Sequence, residues 1–360
     1  MKVLFFLLTV SLLTPSLSKS HLGKSPQGID IFKIDLNLEP RERFKEVVHY
    51  FQHDTLALFD TYSAVIDRAI DFMFSMLEMV NIEAQSEQYQ EYEGIAEVLG
   101  VQTHEVMMMN YLYELDAYCT SIVARLSNGT VLLARNLDFY FPNETRKIMY
   151  IAHFYRGDLF LFESPMFAGM TAVFTGHKPL AFALSINERT KKDSSLDFVD
   201  NLALLLSGHD QVGMIARDIL TYCHDYACAL RRIYNTDSAL VAGSYFIVAG
   251  LKGNEGAIIT RDRDFVVNET PLSGGQWYVL ETNQDHFDGD CPIRCQQGNA
   301  NMQKVGAKAI SVESVEKEVL LKWPNLNFLS IFTAVYVPQT GYSATQNVYP
   351  TDLTDPGDLI

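Results

Sequence analysis

The sequence is short of positive charge. Its 360 residues include 28 lysine and arginine residues against 44 aspartate and glutamate residues, which gives a formal net charge of −16. Proteins that bind nucleic acid rely on clustered lysine and arginine to contact phosphates, so we expect no nucleic-acid partner. In an acidic lumen many of these carboxylates would be protonated, and the self-repulsion of so acidic a chain would fade. The charge therefore favours an acidic compartment.

Long apolar runs are also missing after the N-terminus. Residues 3–13 are predominantly apolar, but this run is shorter than the roughly 20 residues that cross a bilayer. Small residues follow it at the spacing that a signal peptidase accepts, so we expect residues 1–18 to be a signal peptide. The protein should then be lysosomal or secreted. Three sequons fit that compartment as candidate glycosylation sites, namely Asn128, Asn143 and Asn268.

Cysteine is scarce, and its count is odd. The five cysteines are Cys119, Cys223, Cys228, Cys291 and Cys295. An odd count in a secreted protein indicates one free thiol, although position does not say which. The last four are plausible disulfide partners, with three possible connectivities. A zinc site from Cys223, His224 and Cys228 is an alternative, but the spacing of structural zinc sites is absent.

Several catalytic templates are absent. His104-Glu105 lacks the second histidine of H-E-x-x-H, and the sequence contains no G-x-S-x-G elbow, P-loop or G-x-G-x-x-G motif. We therefore expect no cofactor. A cysteine nucleophile is the best remaining enzymatic option.

The order of secondary structure predicts a layered fold. Residues 41–80, 86–116 and 196–234 place apolar side chains at helical spacing. Runs rich in β-branched and aliphatic residues predict strands at 119–126, 130–134, 148–155, 158–163, 180–186, 245–249, 257–260, 265–268 and 276–282. Helices, strands, helices and strands in this order indicate layered α/β packing. The sharpest transition is at Tyr118-Cys119, where we expect the sheet to begin.

The predicted hairpin after Cys119 suggests a site. Asn128-Gly129 between two β-rich runs favours a two-residue type I′ turn. Without a bulge, that turn places Cys119 opposite Asp138 and puts Arg135 on the other face of the sheet, so that Arg135 could join them only through a bulge or at the end of the strand. Ordinary explanations also exist, because a cysteine that starts a strand is commonly a small buried hydrophobe, and Arg135 with Asp138 could be a surface ion pair.

Three segments around this junction carry a resemblance to a known family. They are residues 113–115 (Y-E-L), 119–124 (C-T-S-I-V-A) and 135–138 (R-N-L-D). They resemble acid ceramidase and N-acylethanolamine-hydrolysing acid amidase, which are N-terminal nucleophile hydrolases. The likeness extends in order over nearly the whole chain, from Ile34 to Thr282-Asn283.

The resemblance implies a fold, a processing step and site residues. It implies an α+β fold, the four-layer αββα sandwich, made as a precursor that cleaves itself into a mostly helical α chain (19–118) and a β chain (119–360). Cys119 would be the nucleophile, with Asp138 and Arg135 as orienting and charge-stabilising neighbours. Asn283 would donate to the oxyanion, and Arg294 would be a further site residue.

The chain departs from the family pattern at a few positions. Ala134 stands where a glycine is typical, Gln284 where a tyrosine is, and Cys295 where a second arginine is usual. No cysteine precedes Cys119, so the disulfide that joins the two chains of acid ceramidase cannot form here. We expect the α and β chains to associate non-covalently.

The expected function is hydrolysis of an N-acylated lipid in membranes, with help from an activator protein or anionic lipid. We place ceramide first and an N-acylethanolamine as the alternative, although Arg146-Lys147 after Asn143 looks more like the amidase. A different class of function, a catalytically inactive lipid-binding paralogue, is the second alternative, since a fold does not guarantee its chemistry.

Overall fold

The computed structural model describes most of the chain. The described residues are 20–65, 86–115, 118–190, 201, 203–204, 209–235, 239–289 and 291–350. The predicted signal peptide lies outside them, as do parts of two predicted helical segments, 66–80 and 196–200. Within these ranges, no helix combines the length and the apolar composition needed to cross a bilayer.

The segment before Cys119 contributes two strands as well as helices. Strands β1 (His21–Lys24) and β2 (Asp30–Asp35) are antiparallel partners. Helices α1–α4 follow at Lys45–Tyr50, Gln52–Val65, Glu87–Leu99 and Thr103–Leu115. The expectation that the sheet begins at Cys119 is wrong, because β2 pairs in parallel with a later strand, β5 (Met149–Arg156). Charged residues at three of the six positions of β2, Asp30, Lys33 and Asp35, obscure its apolar alternation in the sequence.

The remaining elements follow Tyr118. The strands are β3 (Tyr118–Arg125), β4 (Val131–Asp138), β6 (Leu159–Phe167), β7 (Thr175–Lys178), β8 (Phe182–Glu188), β9 (Ser244–Ala249), β10 (Gly256–Arg261), β11 (Val266–Pro271), β12 (Tyr278–Glu281), β13 (Ser330–Val337) and β14 (Tyr342–Asn347). The helices are α5 (Pro142–Lys147), α6 (Val212–Tyr222), α7 (Tyr226–Tyr234), α8 (Ile293–Val305) and α9 (Val312–Val315), and a π turn extends α9 to Leu320.

Two sheets face each other in the middle of the molecule. A nine-stranded sheet has the order β1-β2-β5-β6-β7-β8-β9-β10-β11, and a five-stranded sheet has the order β12-β3-β4-β13-β14. Strands β3 and β4 contact β8 and β9 across the interface, while α6 and α7 pack on the larger sheet and α8 on the smaller one. The αββα expectation is confirmed.

Alternation along β3 divides its side chains between two cores. Val123 belongs to the core between the sheets. Its neighbours Ile122 and Ala124 belong to the second core, under α8 and the α9 segment. Both faces of β3 are therefore buried, as an inner layer of a four-layer fold requires.

The β3–β4 hairpin has a different register from the predicted one. Leu126 donates its N–H to the carbonyl of Thr130, so the loop has three residues and ends on Gly129 at φ +87°. This is the loop in which a glycine forms a bulge after a tight turn. Cys119 lies opposite Leu137, and Tyr118 lies opposite Asp138. The predicted pairing of Cys119 with Asp138 is wrong, because a slip of one residue exchanges the two faces.

The two disulfides settle the connectivity of the cysteines. Cys223 is bonded to Cys228 between α6 and α7, and Cys291 is bonded to Cys295 at the start of α8. Cys119 is the free, buried cysteine. The alternative zinc site fails because the Cys223–Cys228 bond consumes both thiolate ligands. Among the described residues, no group of three or more His, Cys, Asp or Glu side chains could hold a metal ion.

The three sequons lie at the surface. Asn128 is exposed in the hairpin loop and Asn143 is exposed in α5, whereas Asn268 is half-buried on the edge strand β11. These positions are compatible with glycosylation, which stays a prediction.

Candidate active site

The Cys119 thiol lies in the interior, between the two sheets. Cys119 is the second residue of β3, fully buried and joined through an intact peptide bond to the half-buried Tyr118. Arg135 Nη2 donates to the Cys119 Sγ over 2.6 Å. Arg135 shares the face of Cys119 because it lies two residues from Leu137, the partner of Cys119. The prediction that Arg135 lies on the other face is therefore wrong, and the corrected register brings the two side chains together.

Arg135 is fixed from the opposite sheet. Its Nη1 donates to the carbonyl of Phe174 over 2.8 Å and to Oγ1 of Thr175 over 2.5 Å. The guanidinium is fully buried and lies 6.0 Å from the ring centroid of Phe332. These bonds hold the positive charge of Arg135 beside the Cys119 thiol, where it favours the thiolate.

Asn283 and Arg294 hold the backbone of Cys119. The Cys119 N–H donates to Asn283 Oδ1 over 2.9 Å, and Arg294 Nη1 donates to the Cys119 carbonyl over 2.7 Å. Arg294 Nη2 also donates to Asn283 Oδ1, over 2.8 Å. The amide nitrogen of Asn283 donates to the carbonyl of Glu188 over 2.9 Å. Asn283 therefore presents its oxygen to the cysteine backbone in the uncleaved chain, and its predicted role as an oxyanion donor stays a prediction.

Asp138 lies on the other face of the sheet but remains close to the site. Its Oδ2 is 3.6 Å from Arg294 Nη1 and accepts from Asn327 Nδ2 over 2.8 Å, while its Oδ1 accepts from Ser330 Oγ over 2.6 Å. Burial raises the pKa of Asp138, and Arg294 and the two hydrogen bonds oppose this rise. Asp138 is thus a fixed carboxyl that reaches Cys119 through Arg294.

Burial also raises the pKa of the Cys119 thiol. The charges of Arg135 and Arg294 oppose the rise, whereas those of Asp138 and Glu188 add to it. The thiol of the uncleaved chain is therefore held protonated by desolvation, and the arginines are the groups that favour the reactive thiolate.

Asn187 and Arg189 anchor the turn that carries Asn283. Asn187 Nδ2 donates to the carbonyls of Glu281 and Thr282 over 3.1 and 2.8 Å. Asp285 accepts two bonds from Arg189, from Nε over 2.7 Å and from Nη2 over 2.6 Å. These bonds fix the position of the Asn283 side chain.

Sequence reasoning missed several residues that build this site. Asn187 and Glu188 have no role in the site that the sequence predicts, yet both contact the turn of Asn283. Thr175, Asn327 and Ser330, which hold Arg135 and Asp138, have no spacing relation to Cys119 and only tertiary contact brings them near. All five predicted site residues, by contrast, meet in one place.

Known proteins resemble this chain over most of its length. No family model matches the chain. It is 29% identical to the rat N-acylethanolamine-hydrolyzing acid amidase over 340 residues, covering 92% of this chain and 91% of the rat protein. It is 30% identical to chimpanzee acid ceramidase over 286 residues, covering 74% of this chain and 70% of that protein.

A solved structure agrees with the sequence comparisons. The Caenorhabditis elegans N-acylethanolamine-hydrolyzing acid amidase ortholog superimposes with a TM-score of 0.56 at 28% identity, over 64% of this chain and 100% of the solved one. The sequence identity and the shared fold indicate the same family. The buried Cys119 near the start of β3 is consistent with it. The chain belongs to the family of acid ceramidase and N-acylethanolamine-hydrolysing acid amidase, and it is an amidohydrolase of the N-terminal nucleophile class.

Proposed function

We propose that the chain cleaves itself before Cys119 and then uses Cys119, as a new N-terminus, to hydrolyse the amide bond of an N-acylated lipid. The observation that carries the proposal is the contact of Arg135 with the Cys119 thiol while Asn283 and Arg294 hold the N–H and carbonyl of the same residue. A structural cysteine needs none of these three charged or polar partners.

Self-cleavage would proceed through a thioester. Cys119 Sγ attacks the carbonyl carbon of Tyr118, the bond from that carbon to the Cys119 nitrogen breaks, and the thiol proton ends on that nitrogen. Water then hydrolyses the thioester. The products are a Tyr118 carboxylate, an α-amine and a free thiol. Asn283 Oδ1 already accepts from the nitrogen that becomes the amine, so it would hold the amine in place.

Lipid hydrolysis would use the same residue as nucleophile and base. The α-amine takes the thiol proton, the sulfur attacks the acyl carbonyl, and the protonated amine gives its proton to the departing amine. Water hydrolyses the acyl thioester and releases the fatty acid. No separate histidine is needed for either proton transfer.

The comparisons support two substrate classes. The relatives matched over about nine tenths of both chains are N-acylethanolamine-hydrolyzing acid amidases. The absence of a cysteine before Cys119 also departs from acid ceramidase, so we place an N-acylethanolamine ahead of ceramide, which the sequence had placed first. Ceramide stays the second candidate because a relative that is 30% identical is an acid ceramidase.

Two features of the described chain support non-covalent association after cleavage. β2 pairs in parallel with β5, across the cleavage point in sequence. Glu91 of the N-terminal segment is buried and accepts from both Nη atoms of Arg217 over 2.6 Å. An acidic lysosomal or secreted location and membrane lipids with an activator as partners belong to the same proposal.

Intact-mass measurement at acidic pH tests the first step. Wild type should yield a fragment that begins at Cys119, the Cys119→Ala variant should stay whole, and the Ser127→Ala variant at the exposed hairpin loop should behave as wild type. The cleaved protein is then given an N-acylethanolamine and a ceramide in separate vesicle assays, with release of fatty acid as the readout. If wild type stays whole and releases no fatty acid, the inactive lipid-binding alternative replaces this proposal.

A further inference from the structure

The Cys291–Cys295 disulfide closes a ring of five residues around a site arginine. Arg294 is inside this ring, directly before Cys295. Helix α8 begins at Ile293, so Arg294 lies in its first turn. The ring and the first turn of the helix are therefore the same piece of chain.

This helix start is unfavourable for an arginine. The helix is preceded by Pro292, which gives no side-chain cap. Unpaired N–H groups and the helix dipole make a helix N-terminus positive, so a cation in the first turn is destabilising and the turn tends to fray. Arg294 is nevertheless only 1% exposed. Within the turn, the Gln296 N–H donates to the Pro292 carbonyl over 2.9 Å, and the Cys291–Cys295 disulfide adds a covalent restraint on the same residues.

The position of Arg294 matters for three groups of the site. Its two Nη atoms contact the Cys119 carbonyl and Asn283 Oδ1, and Nη1 lies 3.6 Å from Asp138 Oδ2. Its own carbonyl accepts from Asn325 Nδ2 over 3.1 Å. Fraying of the first turn would move the guanidinium away from all of them, and a misplacement of about 1 Å in such a site can cost about 100-fold in rate.

We propose that the Cys291–Cys295 disulfide is a positioning element of the reaction, which holds the first turn of α8 and thereby keeps Arg294 on Cys119 and Asn283. The inference rests on the proposed function for its kinetic consequence, but the restraint itself is a property of the uncleaved chain. Neither cysteine touches the reacting atoms, so both act through Arg294.

The disulfide is within reach of solvent. It borders a cavity of about 440 Å³ that is also lined by Trp277, Tyr278 and His286. Cys291 is half-buried and Cys295 is 3% exposed. A water-soluble phosphine can therefore enter and reduce the bond in the folded protein, with one phosphine and one water giving two thiols and a phosphine oxide.

The chain offers a matched control in its second disulfide. Cys223–Cys228 has a similar sequence separation, five residues against four, and joins α6 to α7 in the outer helical layer. The double variants Cys291→Ser/Cys295→Ser and Cys223→Ser/Cys228→Ser are compared for self-cleavage rate and, after cleavage, for kcat and KM. The first should lose about tenfold or more in cleavage rate and kcat with little change in KM, and the second should lose little.

A double-mutant cycle separates positioning from general destabilisation. In an Arg294→Gln background, removal of Cys291–Cys295 should cost almost nothing further, because the group through which it acts is gone. Equal losses in the wild-type and Arg294→Gln backgrounds would overturn the proposal. So would equal losses from the two disulfide pairs.

Two further measurements test the restraint on Arg294 even if the protein shows no self-cleavage and no lipid hydrolysis. Hydrogen exchange of the peptide that contains the amide of residue 119 is measured in the Cys119→Ala background, in which the chain stays whole, and should speed up in Cys291→Ser/Cys295→Ser but not in the other pair. If exchange speeds up in this variant but the wild type neither cleaves itself nor hydrolyses lipid, the proposed function is refuted and the restraint is supported. Phosphine treatment of the folded Cys119→Ala protein should speed up exchange as the Cys291→Ser/Cys295→Ser variant does, and it should leave exchange in that variant unchanged. Unchanged exchange in both tests would refute the restraint.

Discussion

The buried carboxyl of Glu281 should make the protein more stable in acid than at neutral pH. Glu281 ends β12, is fully buried and contacts His286 Nδ1 with its Oε2. Burial raises the pKa of Glu281 to about 7 from its ordinary 4.5, against the opposing effect of His286, and Asp285 adds to the rise. Tyr245, whose hydroxyl donates to Asp285, faces the same carboxyl.

The direction of the pH dependence follows from the protonation of Glu281 in the folded and unfolded states. Between pH 4.5 and about 7 the folded protein keeps the Glu281 proton while the unfolded chain releases it, so stability falls as pH rises through this interval. His286 acts in the same direction. Burial disfavours the charged form of His286, but Glu281 raises the pKa of His286 above 6.5. The stability that protonated His286 contributes to the fold is therefore also lost as pH rises. Glu163, whose pKa is lowered to about 2, contributes a constant amount above its ordinary 4.5.

We expect the free energy of unfolding to fall by about 3 kcal/mol, which corresponds to the difference between the pKa values of Glu281 in the folded and unfolded states. The assay is urea unfolding between about pH 5 and about pH 8, followed by tryptophan fluorescence. It is carried out in the Cys119→Ala background, so that the chain stays whole. Glu281→Gln should flatten the pH profile, and Glu313→Gln, at an exposed ion pair in α9, should not.

Two results would refute this reasoning. One is a free energy of unfolding that stays flat or rises from acid to neutral pH. The other is a Glu281→Gln profile with the same slope as its background, because the titrating group would then lie elsewhere.

Two other substitutions test the charges of the fold and the site. Arg135→Met should raise the pKa of the Cys119 thiol and slow self-cleavage roughly tenfold to 100-fold, since a hydrogen bond to a charged group contributes about 1.5–3 kcal/mol. Intact-mass time courses measure it, and an unchanged rate would contradict the assigned role. Arg217→Met should destabilise the fold by about 1.5–3 kcal/mol, because the buried Glu91 loses its two-bond partner and keeps the bond from Arg43. Arg41→Met, at an exposed pair, should cost less than about 1 kcal/mol in the same urea assay.

Much of the layered architecture was readable from local pattern. Alternating and continuous apolar runs predicted strands close to β3–β6 and β8–β12, because burial on one or both faces of a strand selects apolar residues at regular positions. Strands β13 and β14 were missed, although β13 is buried along its whole length. The short strands β1, β2 and β7 were missed as well. Their sequences, H-L-G-K, D-I-F-K-I-D and T-G-H-K, contain no apolar run longer than two residues, so no run marks them as strands.

The register shows where local pattern failed. Asn128-Gly129 identified a hairpin, but whether the loop has two or three residues is decided by how the strands pack against the sheets around them. The three-residue loop moved Arg135 onto the face of Cys119 and moved Asp138 off it. One residue of register therefore changed which charge contacts the thiol.

The sequence by itself determined the fold family, the candidate nucleophile Cys119 and its four candidate partners, because these rest on residue identities in motifs. Tertiary structure decided which partner touches which atom. Arg135 reaches the sulfur, Asn283 and Arg294 reach the backbone, and Asp138 acts from the other face. Contacts between residues more than 100 positions apart depend on how two sheets pack, and no local spacing encodes that distance.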